Sequence, residues 1–296
     1  MKESLLALPC FTQVDEISTI SIGLSQSCFK VNADNKVYFA KTITDNIEVS
    51  IALCASKSGL SPAVIYHDQN WLICNFIEAR NLAHSTIDTK EKIKHAIKLM
   101  VQCHQLNIKP AELSAIDVCN TLIKNEHYST PQQIALLQLA ELILVPLSNS
   151  INGVCCHGDL NFSNVLMNQG QRTWLVDYEC AYTAPIEYDL AMLIAVNSLA
   201  SDKITIIIEQ YEEQSSVKVD PLLLNHYLFF CYFINALWYF NAYHKNANHE
   251  DNQALLKNTE KQWHALQLSL QAADSPLLSR LSIKLANVLA ALDFNN

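Results

Sequence analysis

The first eighty residues alternate between apolar and polar positions in the manner of β-strands. Two β-rich runs between residues 18 and 42 are separated by a turn at Ala33 to Asn35. A helix signature follows, with Asp45 as N-cap and Gly59 and Pro62 as the stop. Residues 62–77 return to strand character on both sides of a polar turn. The pattern therefore predicts the order β-β-β-α-β-β.

One charged residue interrupts the apolar face of these strands. In the run VYFAKT, a period of two places Val37, Phe39 and Lys41 on one face. A lysine among apolar neighbours needs an anionic partner. We therefore expect an anionic partner beside Lys41.

After Glu78 the pattern changes to long helices. The segment KEKIKHAIKLMVQCHQL repeats apolar residues at helical spacing, and further helices follow residue 131 and residue 188. A compact β-rich insert, VCCHGDLNFSNVLMNQGQRTWLVDYE, interrupts them. Because no Pro/Gly/Ser linker separates the halves, the sequence predicts an α+β fold with two lobes sharing a cleft, a β-rich lobe over 1–78 and a mainly helical lobe over 79–296.

Composition narrows the classes of protein. Only 5 of 296 residues are glycine, 50% are hydrophobic and 17% are charged. These values exclude collagen-like, low-complexity and disordered chains. The formal net charge of -9 disfavours nucleic acid or an anionic membrane as a partner and suits a small cationic substrate.

Cysteine usage and hydropathy bear on the location of the protein. Ten cysteines are scattered without any CxxC pair, which predicts reduced thiols in a cytoplasmic protein. The run from Leu222 to Phe240 resembles a membrane span in apolarity but contains Asn225, His226 and Asn235. We therefore predict a buried core helix there and no membrane span.

The β-rich insert contains the residues with the clearest chemistry. Asp159 and Asn164 have the spacing Asp-x4-Asn, and Asp177 ends the second strand of a predicted hairpin. Phosphoryl transfer needs a carboxylate to accept the proton of the attacking hydroxyl and oxygen ligands for Mg²⁺. These three residues supply both. Taken singly, Asp159 and Asn164 would be turn caps and His157 a core histidine.

The motif HGDLNFSNVL followed by LVDYE resembles the aminoglycoside phosphotransferase/choline kinase superfamily, which has a protein-kinase-like fold. The resemblance implies ATP and Mg²⁺ as cofactors, with Asp159 as catalytic base and Asn164 and Asp177 as metal ligands. Lys41 resembles the phosphate-binding lysine of the superfamily and Glu48 its ion-pair partner. For Glu48 the alternative is a capping box with Asp45.

The resemblance also implies a nucleotide site. The loop GLSQSCF, with Gly23, Ser25 and Ser27, would cover the phosphates, although it has one glycine where protein kinases have three. Backbone groups of the segment Asn75, Phe76 and Ile77 would bind adenine, as the hinge of the superfamily does. The alternative for this segment is an ordinary last strand.

Choline-kinase-like enzymes hold their acceptor with acidic groups and aromatic faces, so the resemblance implies these acceptor-binding candidates: Asp159, Glu179, Tyr182, Trp238 and Tyr239. For Trp238 and Tyr239 the alternative is core packing. The expected activity is phosphorylation of a hydroxyl on a small metabolite of the choline, ethanolamine or thiamine type. The alternatives are an aminoglycoside phosphotransferase, an inactive nucleotide-binding protein, and a metal-dependent hydrolase using His157, Asp159 and Asp177.

Overall fold

The computed structural model of the chain describes residues 2–20, 27–147, 153–245, 252–271 and 276–292. Backbone contacts divide the chain into two compact units, residues 1–110 with 155–182 and residues 111–154 with 183–296. The predicted lobe boundary at Glu78 falls inside the first unit and stays a prediction.

The first unit begins with a short helix and a five-stranded antiparallel sheet in the order β1-β2-β3-β5-β4. The predicted order β-β-β-α-β-β is confirmed, with a preceding helix that the pattern did not predict. The elements are α1 (Lys2–Leu6), β1 (Val14–Ile20), β2 (Cys28–Ala33), β3 (Lys36–Thr42), α2 (Asn46–Lys57), β4 (Val64–His67) and β5 (Trp71–Asn75).

The β2–β3 turn fixes the register of the sheet. Asp34 and Asn35 both have positive φ, 50° and 59°, as the two central residues of a type I′ hairpin turn do. The resulting register pairs Cys28 with Lys41 across the two strands. The predicted turn at Ala33 to Asn35 is therefore confirmed.

One face of this sheet packs in the apolar core, and the opposite face presents Lys41. Tyr38 and Ala40 belong to a buried apolar cluster to which Leu5 of α1 also contributes. Since side chains alternate along a strand, Phe39 and Lys41 lie on the opposite face. The placement of Lys41 thus follows from the burial of its neighbour Ala40.

The rest of the first unit has one long helix and several short strands. In α3 the predicted apolar face is buried at Ile93, Ile97 and Met100. Strands β6, β8 and β9 form a second antiparallel sheet, and β7 and β10 cross the boundary between the units. The elements are β6 (Arg80–Asn81), α3 (Thr89–His104), β7 (Val154–Cys156), β8 (Val165–Met167), β9 (Thr173–Leu175) and β10 (Tyr182–Ala184).

The second unit is mainly helical, as the sequence predicts. Its longest helix, α8, packs against α6 and α9, and α5 packs against α10. The helices are α4 (Ala115–Ile123), α5 (Thr130–Leu144), α6 (Ile186–Val196), α7 (Ile204–Ser215), α8 (Pro221–Lys245), α9 (Asn252–Gln271) and α10 (Pro276–Leu292).

Helix α8 contains the run that resembles a membrane span. It buries every residue from Tyr227 to Ile234, as expected of a core helix. Among the described residues, one stretch is long and apolar enough to cross a membrane by length and composition alone, and it is Thr130–Leu147 rather than α8. That stretch is α5 with its 3-10 extension Val145–Leu147, and core helices of soluble proteins meet the same criterion.

Candidate active site

Lys41 is buried among carboxylates at the end of β3. Its side chain is 8% exposed, and Nζ donates hydrogen bonds to Glu48 Oε1 at 2.7 Å and to Asp177 Oδ1. Glu179 Oε2 lies 3.9 Å from the same nitrogen. Burial alone would lower the pKa of Lys41, but Asp177 and Glu48 outweigh burial and raise it. The ammonium therefore stays charged, and the predicted anionic partner is present as the carboxylates of Glu48 and Asp177.

Glu48 lies in the first turn of α2 and turns inward toward Lys41. The N-cap of α2 is Asp45, whose side chain accepts a hydrogen bond from the Ile47 amide. Glu48 is 2% exposed, and burial raises the pKa of its carboxyl while Lys41 opposes the shift. Of the two roles expected for Glu48, the ion pair with Lys41 is the contact that the structure contains.

Between β7 and β8 lies a loop that begins with His157 and Gly158. The histidine is fully buried; its Nδ1 accepts a hydrogen bond from the Asp159 amide at 3.3 Å. Its Nε2 lies 3.0 Å from the Val176 carbonyl oxygen, which requires the Nε2–H tautomer. His157 thus connects the backbone at Asp159 to the backbone just before Asp177.

Asp159 and Asn164 contact each other directly. Asn164 Nδ2 donates to Asp159 Oδ2 at 2.9 Å and to the Asp159 carbonyl at 3.0 Å. Burial raises the pKa of Asp159, and the nearby negative charges of Asp177 and Glu179 raise it further, while His157 and the Asn164 hydrogen bond oppose the shift. The Asp-x4-Asn spacing therefore brings a carboxylate and an amide together, as expected for the two ends of one short loop.

Asp177 follows β9 and has a left-handed backbone, with φ of 73°. A non-glycine residue pays about 1–2 kcal/mol for this conformation, so neighbouring contacts must hold it. The Val176 amide donates to the Asn164 carbonyl at 3.0 Å, which places Asp177 beside the Asp159–Asn164 loop. The first unit thus brings Lys41, Glu48, Asp159, Asn164 and Asp177 together.

The donor atoms of this site fit a hard divalent cation. The Asn164 amide nitrogen is engaged by Asp159, which leaves its side-chain oxygen as the atom that a metal would bind. One ammonium group faces three carboxylates within 4 Å, and the excess negative charge is what a bound cation would balance. Carboxylate and amide oxygens are also the ligands that Mg²⁺ prefers.

The nucleotide-binding candidates are only partly described. Gly23 and Ser25 lie outside the described residues. Just before β2, the Ser27 amide donates to Thr42 Oγ1 at 3.2 Å, and the Thr42 amide donates to the Ser27 carbonyl at 3.1 Å. At the end of β5, the Asn75 amide donates to Ala63 and the Phe76 amide to Val37. Within the part of the chain that the structure describes, Ile77 is thus the one of these three whose amide donates no hydrogen bond.

The acceptor-binding candidates belong to both units. Glu179 and the half-buried Tyr182 lie in the first unit, and Trp238 and Tyr239 lie on α8 in the second. Trp238 is 45% exposed, and its ring meets that of Tyr239 edge-on at 5.2 Å. Exposure of Trp238 argues against the alternative that it fills the core.

Sequence reasoning missed two neighbours of Lys41. Glu179 was expected at the acceptor, and its 3.9 Å approach to Lys41 depends on a fold contact across more than a hundred residues. Cys28 is the cross-strand neighbour of Lys41, and burial raises the pKa of its thiol to about 11. A neutral buried thiol is a poor nucleophile, so Cys28 packs rather than reacts. The turn at Asp34 and Asn35 sets the pairing of β2 with β3, and counting back from that turn could have identified Cys28 as the partner of Lys41.

Known structures share this architecture. Choline kinase LicA from Streptococcus pneumoniae aligns with a TM-score of 0.68 at 18% identity, covering 90% of this chain and 96% of that chain; it has also been solved in complex with AMP. A choline/ethanolamine kinase family protein from Mesorhizobium loti aligns with a TM-score of 0.68 at 15% identity, covering 96% and 97%. Spectinomycin phosphotransferase in complex with ADP and spectinomycin aligns with a TM-score of 0.62 at 16% identity, covering 96% and 97%. The predicted kinase-like fold is confirmed.

Sequence comparison supplies the family. No curated protein matches the chain significantly. The profile of the phosphotransferase enzyme family matches residues 54–216, more than half of the chain, including Asp159, Asn164 and Asp177. The chain therefore belongs to the phosphotransferase enzyme family.

Proposed function

We propose that this phosphotransferase is an ATP- and Mg²⁺-dependent kinase that transfers the γ-phosphate to a hydroxyl group of a small cationic metabolite. The observation that supports this most is the cluster in which Lys41 binds Glu48 and Asp177 while Asn164 binds Asp159. A metal-dependent hydrolase would need the carboxylates but would leave the buried Lys41–Glu48 pair without a role.

Asp159 is the proposed catalytic base. Asn164 occupies Oδ2, so Oδ1 is the oxygen that would accept the proton of the acceptor hydroxyl. The acceptor oxygen forms a bond to the γ-phosphorus as the bond to the ADP oxygen breaks, and the hydroxyl proton passes to Asp159. The raised pKa of Asp159 makes it a better proton acceptor than an exposed aspartate.

Asn164 and Asp177 are the proposed magnesium ligands, and Mg²⁺ when bound would neutralise the phosphate charge. Lys41 would bind the nucleotide phosphates, with Glu48 orienting its ammonium group. Gly23, Ser25 and Ser27 would cover the phosphates. Because the amides of Asn75 and Phe76 already donate within the sheet, Ile77 is the member of that segment whose N–H would bind adenine.

A choline-, ethanolamine- or thiamine-type acceptor suits the surface and the charge. Trp238 is exposed beside Tyr239, and such aromatic faces bind ammonium groups. Glu179, Tyr182 and the net charge of -9 favour a cation as well. Similarity to two choline-kinase-type structures supports this class of acceptor.

An aminoglycoside is the second candidate acceptor, favoured by the similarity to spectinomycin phosphotransferase. Aminoglycosides are polycations and suit the same negative net charge of the protein.

The cysteines bear on the location of the protein. All ten are unpaired thiols, which supports a reducing compartment such as the cytoplasm.

ATP consumption with a panel of choline, ethanolamine, thiamine and aminoglycosides tests the proposal. We expect acceptor-dependent turnover with one class of acceptor and loss of that turnover in Asp159→Asn. Equal activity of the two proteins would contradict the role of Asp159. Stabilisation by Mg·ATP without turnover on any acceptor would favour the inactive nucleotide-binding protein.

A further inference from the structure

Two buried hydroxyl groups join the segment after α2 to the segment around Asp177. Ser61 Oγ donates to the Leu175 carbonyl at 2.7 Å and lies 2.6 Å from Tyr178 Oη. Ser61 is 6% exposed and Tyr178 is 2% exposed. No short motif contains this contact, because the two residues are 117 positions apart.

Two hydroxyl protons are shared among three oxygen atoms, because the Leu175 carbonyl lies 2.7 Å from Ser61 Oγ and 3.3 Å from Tyr178 Oη. In the arrangement with the shorter contacts, Ser61 donates to Leu175 and Tyr178 donates to Ser61 Oγ. The Leu175 amide also donates to the Leu60 carbonyl at 2.9 Å. Three hydrogen bonds therefore tie residues 60–61 to residues 175–178.

These bonds connect the two chain segments that contain Glu48 and Asp177, the carboxylates to which Lys41 donates hydrogen bonds. Ser61 follows the end of α2, the helix that contains Glu48, and Tyr178 is the residue after Asp177. Asp177 has a left-handed backbone that its surroundings must hold. On its N-terminal side, Val176 is held by the Asn164 carbonyl and by His157, and Tyr178 provides the corresponding anchor on the C-terminal side.

We propose that Ser61 and Tyr178 are positioning residues, whose mutual hydrogen bond fixes Asp177 relative to the helix containing Glu48. Their contact keeps the Asp177 carboxylate where it binds both Lys41 and a magnesium ion. This inference rests on the kinase function proposed above, and it assigns neither residue a contact with substrate.

The test compares Tyr178→Phe, Ser61→Ala and the double variant with the wild type. Tyr178→Phe removes one oxygen and preserves the ring, so it is the variant best able to fold. Ser58→Ala is the matched control, because the Ser58 hydroxyl, three residues earlier, binds only the local Ala55 carbonyl. The measurements are the Mg²⁺ dependence of ADP binding by calorimetry, the Mg²⁺ dependence of turnover, and the melting temperature.

We expect each single variant to raise the half-saturating Mg²⁺ concentration about fivefold, roughly the effect of one net hydrogen bond. The double variant should be no worse than the poorer single variant, because both changes break the same bond. The apparent KM for the acceptor should be the same in these variants as in the wild type. In Ser58→Ala the Mg²⁺ dependence of ADP binding and of turnover should equal that of the wild type.

A lower melting temperature with unchanged Mg²⁺ dependence would assign the pair a structural role only and overturn the inference. Fully additive effects of the two substitutions would overturn it as well. A wild type that binds Mg·ADP but transfers phosphate to no acceptor would contradict the kinase proposal alone. In that case the Mg²⁺ dependence of ADP binding, measured by calorimetry, still tests the positioning role of Ser61 and Tyr178. A wild type that binds no Mg·ADP would overturn both.

Discussion

Gly158 stands directly before Asp159, at a position where the backbone leaves no space for a side chain. Its φ is +75°, and a Cβ placed there would lie 1.9 Å from the Cys180 carbonyl oxygen. The His-Gly-Asp motif is visible in the sequence, but the contact that requires its glycine is not, because the fold brings Cys180 to this loop. The candidate catalytic residue Asp159 was thus predictable from the sequence, whereas the lack of space for a side chain at Gly158 was not.

We predict that Gly158→Ala destabilises the protein by about 2–5 kcal/mol, from the left-handed backbone and the overlap with Cys180 together. Gly170→Ala is the matched control. Gly170 lies in the exposed β8–β9 turn, and the nearest atom to an added Cβ is 3.5 Å away, so its effect should be under about 1 kcal/mol. Urea denaturation measures both. Similar losses for the two variants would contradict the steric reason given for Gly158.

Asp159 supplies the second prediction at this scale, through its raised pKa. A carboxyl whose pKa is higher in the folded state than in the unfolded state stabilises the fold below the unfolded value and loses that contribution as the pH rises through the folded value. Ionised Asp159 therefore destabilises the fold at neutral pH. We expect Asp159→Asn to raise the melting temperature by a few degrees at pH 7 and the difference to vanish below pH 4.

Melting curves from pH 3 to pH 8 without added Mg²⁺ check this, with Glu213→Gln as the control because Glu213 is an exposed carboxylate on α7. A lower melting temperature for Asp159→Asn at pH 7 would mean that the ionised carboxylate is favourably solvated in the folded protein.

Among the elements, β3 and α2 cooperate to bury the Lys41–Glu48 pair. Most of this arrangement was predictable from residues that are neighbours in sequence. Alternation along β3 determines the face on which Lys41 lies, and the Asp45 N-cap determines where α2 begins. The approach of Asp177 and Glu179 and the Ser61–Tyr178 contact were not predictable. They join segments more than a hundred residues apart, and no local pattern determines such contacts.

We predict that Glu48→Gln lowers kcat/KM for ATP about 10- to 100-fold. The amide keeps the size of the side chain but removes the charge that draws Lys41 away from Asp177. Lys41 would then bind Asp177 more strongly and compete with the magnesium ion proposed to bind that carboxylate. Asp45→Asn is the control: it removes a charge from the same helix terminus but retains a good N-cap residue. Initial rates at varied ATP measure both, and equal losses would show that only the charge of the helix end matters.

For the whole molecule, composition excluded some classes of protein but did not identify the activity. The net charge of -9 suits a small cationic molecule better than nucleic acid, and the ten cysteines are free thiols. The kinase-like fold was predictable from one specific motif together with the order of strands and helices. The identity of the acceptor was not, because no motif in this chain is specific to one acceptor and the proposed acceptor-binding residues come from separate elements.

The most direct test of the account is transfer of label from γ-labelled ATP to metabolites of a small-molecule extract, with mass spectrometry of the products. We predict one labelled phosphate ester of a cationic hydroxyl compound with the wild type and Mg²⁺. Its rate of formation should fall at least about 1,000-fold in Asp159→Asn, while Glu213→Gln should behave as the wild type. A labelled product formed equally fast by Asp159→Asn, or no labelled product with the folded, Mg·ATP-binding wild type, would contradict the account.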